Sequence, residues 1–142
     1  MSKIAVIYWS GTGNTEAMAM AVAEGGEGAG ATVDVFDVGQ ITPDAAIGYD
    51  ALALGCPAMG AEVLEESEFE PFFTAIEGKL SGKKVGLFGS YGWGDGQWMR
   101  DWYERTESAG ASMCGGEGVM ANEAPDETAL EACRNLGAAL AG

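Results

Sequence analysis

Six consecutive residues, Ser10-Gly11-Thr12-Gly13-Asn14-Thr15, carry the first chemistry legible in the chain. Ser10, Thr12, Asn14 and Thr15 offer hydroxyl and amide donors, while Gly11 and Gly13 let a ligand approach the backbone N–H groups closely. The stretch follows an apolar run, Ile4-Ala5-Val6-Ile7-Tyr8-Trp9, and precedes a Met- and Ala-rich segment from Glu16 to Glu24. The run reads as a buried parallel strand and the segment as a helix, so the donors converge on the positive end of a helix dipole. That arrangement suits a phosphate. The loop holds no Lys or Arg, so neutral donors and the helix end alone would bind it. Other phosphate loops differ at defined positions. A triphosphate loop needs Gly-Lys-Ser/Thr, whereas here Gly13 is followed by Asn14-Thr15. The dinucleotide pattern is met at Gly11 and Gly13, but Glu16 stands where its third glycine belongs. A helix cap without a ligand is the plain alternative.

Two further loops have unusual composition. In Met59-Gly60-Ala61-Glu62, Gly60 falls at the first central position of a four-residue turn, where a type II′ turn requires φ > 0. Glycine also lets the following peptide turn over at low steric cost, so the loop can offer either C=O or N–H to a ligand atom. An atom that gains a hydrogen on reduction, such as flavin N5, would exploit that choice. Met59 offers a soft apolar surface and Glu62 an acceptor for a ring N–H. A plain glycine turn is the competing reading. The third loop, Ser90-Tyr91-Gly92-Trp93-Gly94-Asp95-Gly96, sets two aromatics among three glycines. Trp93 reads as a stacking platform for a planar ligand, with backbone N–H groups nearby for ring carbonyls. Trp98 and Trp102, four apart on the helix that follows, read as packing.

Strand, helix and turn signals alternate around these loops. Thr32–Val38 alternates as a second strand, after the glycines from Gly25 to Gly30 that should end the first helix. Tyr49–Cys56 reads as a third strand, mostly apolar and therefore central, and Lys84–Ser90 as a fourth. Helices are expected at about residues 68–77, where Phe69, Phe72, Phe73 and Ile76 keep a 3–4 spacing, and at about 97–108. Gly115, Gly116 and Gly118 interrupt any fifth strand between Ala111 and Asn122. Asp126 should cap a last helix from Glu127 to Leu140, with Leu130, Cys133, Leu136 and Leu140 turned inward. The expectation is a single domain over residues 1–142, an α/β doubly wound fold of three layers. Its five-stranded parallel sheet would have strand order 2-1-3-4-5. All three loops fall at strand C-termini, so one pocket at the switch between the first and third strands can be lined by all of them.

Composition excludes several classes. Seven basic against 22 acidic residues give a net charge of −15, which speaks against nucleic acid and anionic membrane as partners. The sequence contains no histidine, so Ser-His-Asp and Cys-His catalysis are absent and no metal site is expected. A receiver domain would need an aspartate where the third strand ends Gly55-Cys56. Cys56, Cys114 and Cys133 are odd in number and scattered, as reduced cytosolic thiols are, and Cys56 reads as core. The N-terminus lacks the apolar core of a signal peptide, and no run approaches the ~20 apolar residues of a membrane span. A cytoplasmic, monomeric protein is expected.

With these loops in hand, the chain resembles the flavodoxins, in particular the short-chain flavodoxins of anaerobic bacteria. Three stretches carry the resemblance: Tyr8 to Glu16, Ala58-Met59-Gly60 with Glu62-Val63-Leu64-Glu65, and Gly89 to Gly96. It implies a flavodoxin-like fold, one non-covalent FMN and service as a one-electron carrier rather than an enzyme. The switch-point rule for sheet ligands is itself commonly illustrated with this family. By position, the resemblance gives Ser10, Thr12, Asn14 and Thr15 to the phosphate, with Gly11 and Gly13 in the same loop. Met59 and Trp93 would flank the isoalloxazine, Gly60 would bond N5, and Glu62 would hold N3. Pro57, Ala58, Ala61, Ser90, Tyr91, Gly92, Gly94 and Asp95 complete the two ring loops, and Asn122 lies in a further loop near the cofactor. Ala61 stands where relatives often carry a polar residue, and Pro57 where some have serine. The implied working couple is semiquinone/hydroquinone. Its potential would be lowered by Glu62, Glu65, Glu66, Glu68 and Asp95 around the site. The implied partners are redox enzymes, ferredoxin/flavodoxin reductases and oxidoreductases, docking transiently through basic faces. An FMN-dependent NAD(P)H:quinone reductase of the same fold is the alternative.

Overall fold

The structure, a computed structural model, describes residues 2–11, 13–59, 63–92, 94, 96–114 and 118–142. The chain alternates β1 (Lys3–Tyr8), α1 (Asn14–Gly28), β2 (Thr32–Asp37), a 3₁₀ turn (Val38–Gln40), α2 (Pro43–Ile47) and β3 (Ala51–Gly55). It continues with α3 (Phe69–Glu77), β4 (Lys84–Tyr91), α4 (Gln97–Ser108), β5 (Ser112–Met113), β6 (Val119–Asn122) and α5 (Glu127–Ala141). All strand pairs are parallel, in the order β2-β1-β3-β4-β5. The order expected from the sequence is the one observed.

The central strands β1, β3 and β4 are apolar at nearly every position because helices cover both sheet faces. Alternate residues divide between two cores. Ala5, Ile7, Leu52, Leu54, Val85 and Leu87 pack against Phe69, Phe73 and Ile76 of α3 and Trp98, Met99 and Trp102 of α4. Ile4, Val6, Ala51, Ala53 and Phe88 pack against Met18, Ala19 and Val22 of α1 and Cys133, Leu136 and Leu140 of α5. Trp98 and Trp102 are buried as their spacing suggested. Leu130, expected inward, is only half-buried at the margin of the second core.

Two elements depart from the sequence reading. The first helix does not stop at its glycines but runs through Gly25 and Gly26 to Gly28. The reason is packing. A Cβ on Gly25 would stand 1.8 Å from the Arg134 carbonyl oxygen of α5, and one on Gly137 would stand 2.0 Å from that of Val22. The glycines let α1 and α5 cross backbone to backbone, at a cost in helix propensity of ~1 kcal/mol each. The fifth strand is split. β5 pairs with Lys84 and Val85 at the start of β4, and β6 pairs with Phe88 to Tyr91 at its end, on the same edge. Gly118, at φ 98°, turns the chain between them.

Gly137→Ala should therefore cost about 1–3 kcal/mol, the usual penalty of overpacking. It would be read as a lowered urea midpoint with an unchanged slope; an unaltered midpoint would mean that α1 and α5 separate freely.

Candidate functional site

The three loops do meet. Past their last strand residues, β1, β3 and β4 stay joined: Trp9 N–H donates to the Gly55 carbonyl at 3.0 Å, Cys56 N–H to Phe88 at 3.2 Å and Ala58 N–H to Ser90 at 3.0 Å. Loop residues 9–11, 13–14, 57–59 and 90–92 thus leave one edge side by side. A cleft of about 540 Å³ opens there, lined by Trp9, Gly11, Asn14, Pro57, Ala58, Met59, Ser90, Tyr91, Gly92 and Glu123. That volume lies within the ordinary range for a small-molecule site. It sits where the sheet order reverses, at strand C-termini.

Asn14 and Ser90 make part of the lining polar, and further donors stand beside the cleft at the start of α1. Gly13 takes φ 93° at the N-cap of α1, a left-handed conformation that favours glycine, and itself offers no side chain to cap the helix. The Ser10 hydroxyl accepts from Gly13 N–H at 3.0 Å and Glu16 N–H at 3.3 Å, which leaves its own proton to donate outward. Thr15 is buried, and its hydroxyl lies 3.2 Å from that of Ser90, tying the first loop to the third. Ser90 N–H donates to the same Thr15 oxygen at 3.4 Å.

An apolar slot lies among Trp9, Pro57, Ala58, Met59 and Tyr91. Tyr91 also packs on the buried Trp98 at a ring separation of 5.6 Å, and Trp98 donates its indole N–H to the Cys56 carbonyl at 3.1 Å. This pairing of a donor-rich corner with an apolar slot fits a phosphate monoester on a planar ring system. Gly94 and Asn122 are exposed nearby in the chain, Asn122 donating to the Tyr91 carbonyl at 3.2 Å. Thr12, Gly60, Ala61, Glu62, Trp93 and Asp95 lie outside the described residues.

Trp9 and Glu123 line the cleft without having been singled out. Trp9 read as the end of a buried strand, but it is half-buried and donates its indole N–H to Glu68 at 3.3 Å. Glu123 takes φ 58°, rare for a residue with a Cβ, and donates its N–H to the Tyr91 carbonyl at 2.7 Å. Its signal is the run Asn122-Glu123-Ala124-Pro125-Asp126, turn formers between a strand and a capped helix. Asp126 accepts from Ala129 N–H at 2.8 Å, as a cap should.

The electrostatics are negative. Among the described residues, the lining includes no Lys or Arg, and it includes Glu123. Glu16 accepts from Tyr8 Oη at 2.9 Å, and burial together with that carboxylate pushes the Tyr8 phenol up to about 12. Glu65 departs from the surrounding-charge reading. Its side chain is buried and turned onto the start of α3, accepting from the N–H groups of Ser67 at 2.8 Å, Glu68 at 2.7 Å and Phe69 at 3.0 Å. Burial raises its affinity for a proton, but the three donors outweigh that and hold the carboxyl below its ordinary value. Cys56 is buried, and burial pushes its thiol up to about 12, which suits packing rather than nucleophilic chemistry. No described group of three or more His, Cys, Asp and Glu is placed to hold a metal. No helix among the described residues is long and apolar enough to cross a membrane.

The flavodoxin family model matches residues 6–137. This chain belongs to the flavodoxin family. The family consists of FMN-binding electron carriers, not enzymes. The chain is 49% identical to a flavodoxin of Megasphaera elsdenii over 138 residues, covering 97% of this chain and 98% of that one. It is 51% identical to a flavodoxin of Clostridium beijerinckii over 136 residues, covering 96% of this chain and 97% of the relative. The solution structure of the two-electron-reduced Megasphaera flavodoxin superposes with a TM-score of 0.89, over 97% of this chain and 98% of that one at 49% identity. The resemblance read from three motifs thus holds across nearly the whole length of the chain.

The lowered Glu65 carboxyl has a pH consequence. A folded value below the unfolded one, which is near 4.3, stabilises the protein above that pH, and the gain is lost as pH falls through the folded value. Glu65→Gln should therefore lower the urea midpoint at neutral pH, and the gap from wild type should narrow as pH falls through the lowered Glu65 value. A gap that stays constant through acid would separate the carboxylate from stability.

Proposed function

We propose that this chain is a single FMN-binding domain that serves as a low-potential one-electron carrier. The observation that carries the reading is the cleft at the sheet's switch point, with no cation in its described lining, donors beside it at the start of α1 and an apolar slot among Trp9, Met59 and Tyr91. When bound there, FMN would supply two successive one-electron couples. Ser10, Thr12, Asn14 and Thr15, with the N-terminus of α1, would hold its phosphate. Met59 and Trp93 would lie on the two faces of the ring. Gly60 would meet N5 with whichever group, C=O or N–H, that atom's protonation calls for, and Glu62 would accept from N3–H.

Charge then selects the working range. The cleft lining adds Glu123 and no described cation, and Glu16 and Glu68 stand close by in the site's hydrogen-bond network. A unit negative charge ~10 Å from a reduced, anionic ring costs on the order of 1–2 kcal/mol at an effective dielectric of ~20. Several such charges lower the second potential. The net charge of −15 supports transient docking on basic faces of redox enzymes, among them ferredoxin/flavodoxin reductases and oxidoreductases. A monomer in the cytoplasm is the simplest setting for such a shuttle.

Two variants test the two ends of the site. Ser10→Ala removes one donor to a charged phosphate, worth about 1.5–3 kcal/mol. FMN affinity should fall roughly 10- to 100-fold, and riboflavin affinity should not move. Equal losses for both ligands would take Ser10 away from the phosphate. Trp93→Ala should weaken FMN by about tenfold and raise the second potential. If neither changes in a flavin titration followed by redox titration, Trp93 is not at the ring.

A further inference from the structure

Glu16 stands three residues after Gly13, the N-cap of α1, and so in the first turn of that helix. A glutamate or glutamine at that position ordinarily folds back onto the N–H of the N-cap residue. The protein does this elsewhere. At the start of the 3₁₀ turn, Gln40 Oε1 accepts from Asp37 N–H at 2.8 Å across the same spacing. At the start of α1 the pairing is different. Gly13 N–H donates to Ser10 Oγ at 3.0 Å, and Glu16 N–H donates to that same oxygen at 3.3 Å. The Glu16 carboxylate is bound instead by Tyr8, whose Oη donates to its Oε2 at 2.9 Å.

Tyr8 is the last residue of β1 and is buried in the core that also holds Met18, Ala19 and Val22 of α1. A buried hydroxyl needs a partner, and a carboxylate is a strong one. Burial and the Glu16 carboxylate push the phenol up to about 12, so it stays a donor at neutral pH. Glu16 itself is exposed, so little packing would hold its carboxylate once the hydroxyl was gone. Turned back onto Gly13 N–H, that carboxylate would occupy a donor and place a negative charge beside Ser10, where an anion is to bind. We infer that Tyr8 is a positioning residue: by holding the Glu16 carboxylate, it leaves the start of α1 to the phosphate of FMN. The inference rests on the FMN reading, in which Ser10 and the start of α1 bind that phosphate.

Tyr8→Phe keeps the ring in the core and removes only the hydroxyl. FMN affinity should fall about tenfold, the scale of a unit charge brought a few ångströms closer to an anion at an effective dielectric of ~20. Riboflavin, which lacks the phosphate, should bind as before. In a Glu16→Gln background, where no carboxylate is left to release, Tyr8→Phe should change neither affinity. Glu16→Asp keeps the charge on a side chain one methylene too short to reach Tyr8, and it should weaken FMN selectively. Glu16→Gln alone should not weaken it. In flavin-free Tyr8→Phe, the Gly13 amide proton should move downfield as a carboxylate replaces a hydroxyl as its acceptor, and adding Glu16→Gln should return it.

Unchanged FMN affinity in Tyr8→Phe overturns the inference. So does an equal loss of FMN and riboflavin, or the same FMN loss in the Glu16→Gln background, either of which would leave Tyr8 a packing residue. If Tyr8→Phe does not fold, Glu16→Asp against Glu16→Gln decides, and equal FMN affinities overturn the inference. A wild-type protein that binds neither FMN nor riboflavin would instead remove the FMN reading. The Gly13 proton in flavin-free Tyr8→Phe would then decide whether Tyr8 restrains Glu16.

Discussion

The site exists because three parallel strands remain hydrogen-bonded beyond their own ends. The bonds from Trp9 to Gly55, Cys56 to Phe88 and Ala58 to Ser90 hold the starts of three loops at sheet spacing. Were any of them absent, the loops would still be rich in donors and aromatics but would not share a cleft. Two glycines protect this edge. A Cβ on Gly55 would stand 2.2 Å from the Phe88 ring, and one on Gly89 would stand 2.2 Å from the Cys56 carbonyl oxygen. Cys56 is therefore central to the edge: its N–H, carbonyl and sulfur each hold a different neighbour, Phe88, Trp98 and Glu65.

From that edge the chemistry divides by distance from the sheet. The donors at the start of α1 form a static corner, organised by Ser10 and by the positive φ of Gly13. Neutral donors suit the proposed acidic carrier, since a lysine at the phosphate would offset the field that nearby carboxylates would place on a bound ring. The cross-helix network on the far side serves stability instead. Arg105 reaches Glu70 at 2.7 Å and Glu77 at 2.9 Å and lies over the Phe73 ring, joining α3 to α4. These groups are about a third exposed, so the pairs are worth little individually, and the stacked guanidinium adds packing to them.

Much of this was legible before any coordinates. Apolar runs of five or six residues bounded by turn formers mark β1, β3 and β4, because strands buried on both faces must be apolar throughout. The three loops stood out because their residue types contradict their surroundings. Other features depend on contacts between segments distant in sequence, and no local pattern shows those. Gly25 and Gly26 look like helix terminators until Arg134 and Gly137 are placed against them. Glu65 looks like one surface acid among several until the chain reverses and brings three N–H groups to it. Trp9 looked like strand because it continues an apolar run, yet it is the first residue past β1 and turns into the cleft. Glu123 is marked by a backbone conformation, which its side chain does not announce.

The central claim is that the cleft holds a flavin whose two electrons arrive separately. Stepwise anaerobic reduction of the purified protein, followed by absorbance and by titration of both potentials, tests it most directly. The account predicts a yellow protein that takes up its electrons in two resolved one-electron steps, the second at the lower potential. A colourless protein that binds no added FMN, or a single two-electron step driven directly by NAD(P)H, would contradict it.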